Sequence, residues 1–262
     1  MAAMDRVRIL DQRTAQERDR RFLPGMGRAL LLPLYDVVTG LSGVRALHER
    51  AVRIAGITPG QAVLDVGCGT GNLGLAVLAA QPDVRVTGLD PDGAALRRAA
   101  RKARRRHVAL TLLQGYADRI PAEDASIDHV MSSLALHHLD EKERVAFARE
   151  ALRVLRPTGK VTVVDFDGGL GQEAHGARPP AHGHGPAHAL RHLPRLARRR
   201  VARRPGAPGN GDDGIPHLLA EAGFGDAREV AHVDHRFGAV AFVQATRPQS
   251  PGAGLLVGED GD

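Results

Sequence analysis

Between residues 61 and 166 short apolar runs alternate with stretches of helical periodicity, and this alternation restricts the fold more tightly than any other feature. AVLDVG reads as a strand and NLGLAVLAAQ as a helix; VRVTGLD is a second strand and GAALRRAARKARRR a second helix. VALTLLQG and SIDHVMSSL follow as strands, EKERVAFAREALRVL as a helix with Val145, Leu152 and Leu155 on its apolar side, and GKVTVVDF as a strand after the turn Arg156-Pro157-Thr158-Gly159. Strands separated by helices of this length pair in parallel and bury both sheet faces, so the predicted class is α/β, doubly wound.

The flanks read differently. Residues 5 to 21 are charged and predicted helical, and RFLPGMGRALLLPLYDVVTGLSG is broken by Pro24, Gly25, Gly27 and Pro33, so residues 1–43 are expected to form an N-terminal helical flap. A helix is predicted from Gly43 to Gly56, opening a core domain over 44–166. Residues 167–214, rich in His, Arg, Gly and Pro, are expected to be an irregular lid or a disordered insert. A helix near IPHLLAEAG and a hairpin of AREVAHVDHRF and AVAFVQATRP, joined through Gly238 at the sheet edge, complete the same domain over 215–248, and 249–262 is expected to be a flexible tail.

Composition narrows the class further. With 262 residues and 43% hydrophobic content the chain can bury an ordinary core. No apolar run suits a membrane span or a secretory signal, and a single cysteine, Cys68, agrees with a reducing compartment; a cytoplasmic location is expected. The formal charge of +6 is local: Arg191, Arg195, Arg198, Arg199, Arg200, Arg203 and Arg204 lie in one acid-free stretch, and without them the balance is −1. A second run covers Arg97, Arg98, Arg101, Lys102, Arg104, Arg105 and Arg106. A solvated helix face is the commoner origin of such runs, and the near absence of interleaved aromatics argues against base stacking, so no nucleic-acid partner is expected.

Chemistry concentrates in VLDVGCGTGN, residues 63–72. A strand that delivers glycines into a helix N-terminus lets a ligand approach the backbone and its free amides. A dinucleotide fingerprint would use Gly67, Gly69 and Asp90, but Asn72 stands at the third glycine position and Asp65 would repel a pyrophosphate. No Gly-Lys-Ser or Gly-Lys-Thr follows, which removes a phosphate loop. The loop suits a ligand that is cationic near the glycines and carries a ribose near Asp90, as S-adenosylmethionine (SAM) does.

In these residues the chain resembles the class I SAM-dependent methyltransferases over roughly residues 44 to 166. VLDVGCGTGN looks like the family's first motif, TGLDPD its acidic loop, GYADRIPAEDASIDHVMSSLALHH its second and third motif region, and LRVLRPTGKVTVVDF its closing helix-turn-strand. The resemblance implies a Rossmann-like, mostly parallel sheet of about seven strands with a C-terminal antiparallel hairpin. It implies SAM as cofactor: Asp65 orienting the methionine end, Gly67, Cys68, Gly69 and Asn72 forming the loop, and Asp90 taking the ribose hydroxyls. Pro91 and Asp92 would border the adenine, and Ser132 and Ser133 would meet the methionine portion. Where the family carries an acid after the glycine of GYAD, this chain has Tyr116; the Ala117 amide, with Tyr116 or Asp118, is expected to substitute. Cys68 is expected to be a small buried packing residue rather than a nucleophile.

YDVVTGLSG and LLAEAGF are similar to the opening and close of the ubiquinone and menaquinone biosynthesis methyltransferases, which implies methyl transfer to a small, hydrophobic organic acceptor. A NAD(P)-dependent oxidoreductase and a methyltransferase acting on RNA or protein are the alternatives. His137 and His138 lie near the acceptor side and are candidate bases as much as structural histidines. His182, His184, His188 and His192 suggest a metal, but Pro186 and Pro194 interrupt their helical spacing and no metal is assigned. LPRLARRRVARR also reads as a basic amphipathic turn, which would place Arg191 to Arg204 against an anionic membrane surface.

Overall fold

A computed structural model of the chain describes residues 7–20, 43–167, 214–235 and 238–249. The elements are β1 (Val7–Asp11), α1 (Ala15–Arg18), α2 (Val44–Ala55), β2 (Ala62–Val66), α3 (Asn72–Ala80), β3 (Arg85–Asp90), α4 (Gly93–Arg105), β4 (Leu110–Gln114), β5 (Ile127–Ser133), α5 (Glu141–Val154), β6 (Leu155–Phe166), α6 (Ile215–Glu221), β7 (Gly225–His235) and β8 (Gly238–Thr246). The strands form an eight-stranded sheet in the order β1-β4-β3-β2-β5-β6-β8-β7. Pairing is parallel from β1 through β6, and β8 joins antiparallel to both β6 and β7.

Strand alternation divides the core. In β2, Val63 joins the apolar cluster built with Leu47, Leu73, Leu96 and Phe242, whereas Leu64 and Val66 join the one built with Phe147, Val154 and Leu219. Helices α2, α3 and α4 therefore cover one face, and α5 and α6 the other, as two-residue periodicity requires of a sheet buried on both sides. The expected doubly wound architecture is present, with the hairpin at the edge and residues 236–237 of its turn outside the described set.

One expectation is overturned. Residues 7–11 do not form a helix but a parallel strand beside β4, with Val7 opposite Leu110 and Asp11 opposite Gln114, and among the described residues 7–20 only Ala15–Arg18 is helical. VRILD buries Val7 alone, so this edge strand lacks the alternating apolar signal that would announce it. The remainder of the expected flap, residues 21–42, lies outside the described residues, as do 168–213 with their histidines and Arg191 to Arg204.

The helix starts are set locally. The Asp92 carboxylate caps α4, accepting from the amides of Ala94 at 2.7 Å and Ala95 at 3.2 Å. Asp140 and Glu143 form a reciprocal capping box at α5. Helix α3 has only Gly71 at its N-cap, without a side chain to offer. Replacing Asp92→Ala is expected to cost about 1 kcal/mol, read as a lower urea midpoint at unchanged slope.

Candidate cofactor and active site

The strand order reverses between β2 and β5: β3 and β4 lie on one side of β2, and β5 and β6 on the other. Open α/β sheets hold their ligands at such a switch point, beyond the C-terminal strand ends. A cavity of about 440 Å³ opens there, lined by the β2–α3 loop, the ends of β3, β4 and β5, and helix α2. Its size is that of a small-molecule site.

Two buried acids shape its floor. Asp65 is 2% exposed, and its Oδ2 accepts from the Gly74 amide at 3.0 Å. Gly74 is the third residue of α3, so a carboxylate from β2 supplies the cap that Gly71 cannot. The Asp90 carboxylate accepts from the Gly69 amide at 2.7 Å through Oδ2 and from the Asp92 amide at 2.8 Å through Oδ1. Each Asp90 oxygen keeps a second lone-pair direction, the number that two vicinal hydroxyls need. Burial pushes the Asp65 carboxyl up to about 7, with the Asp90 charge adding to the rise, and burial pushes Asp90 up to about 6 against the pull of its two amides.

The glycines serve different needs. Gly67 lies at φ 71° and a Cβ there would stand 2.4 Å from the Ala135 methyl, so this position requires glycine for both conformation and space. Gly69 lies at φ 50° and a Cβ there meets no atom within 4 Å, because the residue faces the open cavity. Cys68 is buried, and burial followed by the nearby Asp90 and Asp65 holds its thiol well above the ordinary value, consistent with packing rather than nucleophilic chemistry. Lys102 leaves the basic face of α4 to donate to the Thr70 hydroxyl at 2.8 Å, the Thr70 carbonyl at 3.2 Å and Asn72 Oδ1 at 2.8 Å. In sequence it is one cation among seven, and nothing distinguishes it there.

Of the expected cofactor residues, Asp65, Gly67, Cys68, Gly69, Asn72, Asp90, Pro91, Asp92, Tyr116, Ala117, Ser132 and Ser133 line this cavity, whereas Asp118, the alternative to Tyr116, does not. The hydroxyls of Ser132 and Ser133 are buried without a hydrogen-bond partner. Tyr116 is already engaged, since its hydroxyl donates to the Arg20 carbonyl at 3.0 Å while the Arg20 guanidinium lies 4.4 Å above its ring. Arg20 also pairs with Asp118 at 2.7 Å and with Glu143, which ties the N-terminal segment to α5 beside the cavity. Arg119 grips Glu17 through two bonds of 2.8 and 2.6 Å. Arg20 and His48 line the cavity and were not legible in the sequence.

Beyond the end of β5 the two histidines separate. His138 lines the cavity; His137 does not. His137 Nδ1 lies 2.7 Å from Asp165 Oδ1, and Asp165, 1% exposed, also accepts from the amides of Leu136, His137 and Phe166. The two rings lie 4.0 Å apart, and burial with repulsion from His137 lowers the His138 pKa. Leu134, at φ 53°, holds a backbone conformation that leucine seldom adopts at the cavity lip. Asp165, at the C-terminal end of a buried parallel strand, was open to detection on that position alone. Apart from this site, Asp167, Glu229 and His232 form an ion-pair group in which His232 lies 3.5 and 3.3 Å from the two carboxylates.

Fold and site together define an α/β protein with an acid-floored pocket at the switch point of its sheet. Residues 63–159 match the family model of a methyltransferase domain. The chain is 37% identical over 119 residues to a 27-O-demethylrifamycin SV methyltransferase of Amycolatopsis mediterranei, covering 44% of this chain and 43% of the relative. It is 31% identical over 160 residues to the ubiquinone/menaquinone biosynthesis C-methyltransferase UbiE of Rubrivivax gelatinosus, covering 60% and 59%. The chain thus spans about half the length of the curated relatives it matches. Among solved structures, a SAM-dependent methyltransferase from Aquifex aeolicus superposes with a TM-score of 0.51 at 19% identity, covering 76% of this chain and 88% of the other. The cyclase SpnF superposes at 0.61 and 19% identity, covering 88% and 100%, so the shared fold alone does not determine the reaction. Residues 63–159 thus match a methyltransferase domain, and the sheet around them has the Rossmann-like order of the SAM-dependent methyltransferase fold.

The raised acids predict a pH signature. Between about pH 4 and 7 the folded chain keeps on Asp65 a proton that the unfolded chain has released, so ionising Asp65 lowers stability progressively across that window. Asp65→Asn removes this loss while retaining an acceptor for Gly74. Its melting temperature relative to the parent is expected to rise from pH 4 to pH 7 and to level off on either side; a difference independent of pH contradicts the assignment.

Proposed function

We propose that this protein transfers the methyl group of SAM to an oxygen, nitrogen or carbon nucleophile of a small, mainly hydrophobic organic acceptor. The observation that carries the reading is the pairing of Asp90, with two acceptor directions left beside the glycine loop, and Asp65 within the same cavity. A cationic, ribose-bearing ligand satisfies both acids, whereas a dinucleotide would set its pyrophosphate against them.

SAM held there would supply a methyl group already activated on its sulfonium: a bond from the acceptor's nucleophile to the methyl carbon would form as the S–CH3 bond breaks, with S-adenosylhomocysteine leaving. Asp90 holds the ribose, Gly67, Cys68 and Gly69 let the backbone lie close, and Asn72 flanks the loop. Pro91 and Asp92, with Tyr116 and the Ala117 amide, border the adenine. The orphaned hydroxyls of Ser132 and Ser133 are satisfied by the methionine end. Positioning two reactants in a dry site supplies most of the rate. His138, kept neutral and facing the cavity, accepts the acceptor's proton where one must leave, and the Asp165–His137 pair holds it from behind. Leu134, Leu136 and Leu139 give that side apolar walls. The relatives named for rifamycin and quinone substrates support an organic acceptor.

Thermal shift separates the cofactors: SAM and S-adenosylhomocysteine are expected to raise the melting temperature and NAD to leave it unchanged, with the reverse order overturning the reading. Asp90→Asn, able to accept at one oxygen only, is expected to weaken SAM binding by about 10- to 100-fold by calorimetry. Metabolite extracts incubated with protein and SAM are expected to yield a species one methyl group heavier. With that acceptor, His138→Ala is expected to lower kcat by about 10²- to 10⁴-fold at unchanged SAM affinity.

A further inference from the structure

Asp167, Glu229 and His232 meet at the antiparallel edge of the sheet, and none of them lines the cavity. Asp167 directly follows β6, whereas Glu229 and His232 stand on β7, with β8 between the two strands. Three positions apart on a regular strand, Glu229 and His232 would point to opposite faces. The register of β7 shifts between Glu229 and Ala231, which leaves Glu229 opposite Val243 and His232 opposite Ala241. That extra residue re-aims the strand and brings both side chains to one face, within reach of Asp167 across β8.

The spacing and the charge both suit a cation. His232 Nδ1 lies 3.5 Å from Asp167 Oδ2 and 3.3 Å from Glu229 Oε1, longer than the distances of about 2.7–2.9 Å that a charge-assisted hydrogen bond takes. Nitrogen and oxygen ligands placed tetrahedrally at about 2.1 Å from a metal stand about 3.4 Å from one another. One ligand atom from each of the three residues lies within 4.8 Å of the other two, so a side-chain adjustment closes the third edge. Among the described residues His232 is the only ion-pair partner of either acid. Two carboxylates facing one imidazole carry net negative charge in either state of the ring, and a divalent cation neutralises it. The side chains are 29%, 32% and 33% exposed for Asp167, Glu229 and His232, which leaves one side open to water ligands.

We propose that Asp167, Glu229 and His232 form a binding site for a divalent transition-metal cation, with zinc the best match. Coordination uses the Nδ1 lone pair of His232, so the ring proton sits on Nε2. The imidazole selects against magnesium and calcium, which take oxygen ligands. A metal held there ties the end of β6 to the edge strand β7 across β8, and it stands apart from the cofactor pocket.

Zinc chloride titrated into the full chain by calorimetry, and anomalous scattering at the zinc edge from crystals grown with zinc, test the site. One equivalent of zinc bound through these residues and an anomalous peak between the three side chains are expected. His232→Ala is expected to weaken that equivalent by more than about tenfold, because removing even an outer partner of a metal ligand costs about 10- to 100-fold. Asp167→Asn and Glu229→Gln should weaken it in the same direction, with SAM affinity unchanged in all three. Zinc taken up by histidines elsewhere in the chain persists in these variants and is thereby separated. Thermal melting confirms that each variant folds, and zinc should raise the melting temperature of the unmodified chain more than that of His232→Ala. A zinc titration that none of the three substitutions changes, an anomalous peak only elsewhere, or magnesium bound at these residues as tightly as zinc would each overturn the site.

Discussion

The hydrogen bond from the Gly69 amide to Asp90 is the contact on which the site depends. It joins the end of β3 to the loop leaving β2, and the companion bond from Gly74 to Asp65 joins β2 to the helix that follows. Both accepting carboxylates are almost fully buried. A buried acid with only one or two amide donors is incompletely compensated, which is why both carboxyls titrate far above their ordinary range. The pocket thus holds two groups whose ionisation a cation would favour.

The surrounding fold fixes where those acids stand. Alternation in β2 sends Val63 and Asp65 toward α3 and sends Leu64 and Val66 toward α5, so the apolar pattern that builds two cores also aims the acid at the helix start. Lys102 fastens the loop from α4, and Arg20 and Arg119 fasten the N-terminal segment beside Tyr116. Strain is retained at Leu134, where the chain turns from β5 to the two histidines. Leu134 and its neighbours line the cavity beyond the end of β5.

Much of this was legible in the sequence. The strands from β2 to β6 and the hairpin follow from periodicity and turn residues, whereas the cavity-lining residues from Asp65 to Ser133 were singled out mainly by the resemblance of their motifs to a methyltransferase family. The failures share a cause. β1 was read as helix because an edge strand that buries only Val7 has no alternation to display. Lys102 was hidden in a basic run, His48 in an ordinary amphipathic helix, and Arg20 in a segment whose partner Asp118 is 98 residues away. Each acquires its role from a contact distant in sequence, and local pattern carries no record of such contacts. The separation of His137 from His138 belongs here too, because adjacent residues on a short turn diverge only once Asp165 holds one of them.

The account makes the two floor acids selective because they ionise fully only when a cation arrives. Calorimetry of SAM binding near pH 6.5, repeated in buffers of different ionisation enthalpy, tests this directly. The account predicts release of a substantial fraction of a proton, up to about one, as the bound cation lowers the pKa of Asp65 and its neighbour Asp90. Binding whose heat does not depend on the buffer, or that takes up protons, would contradict it.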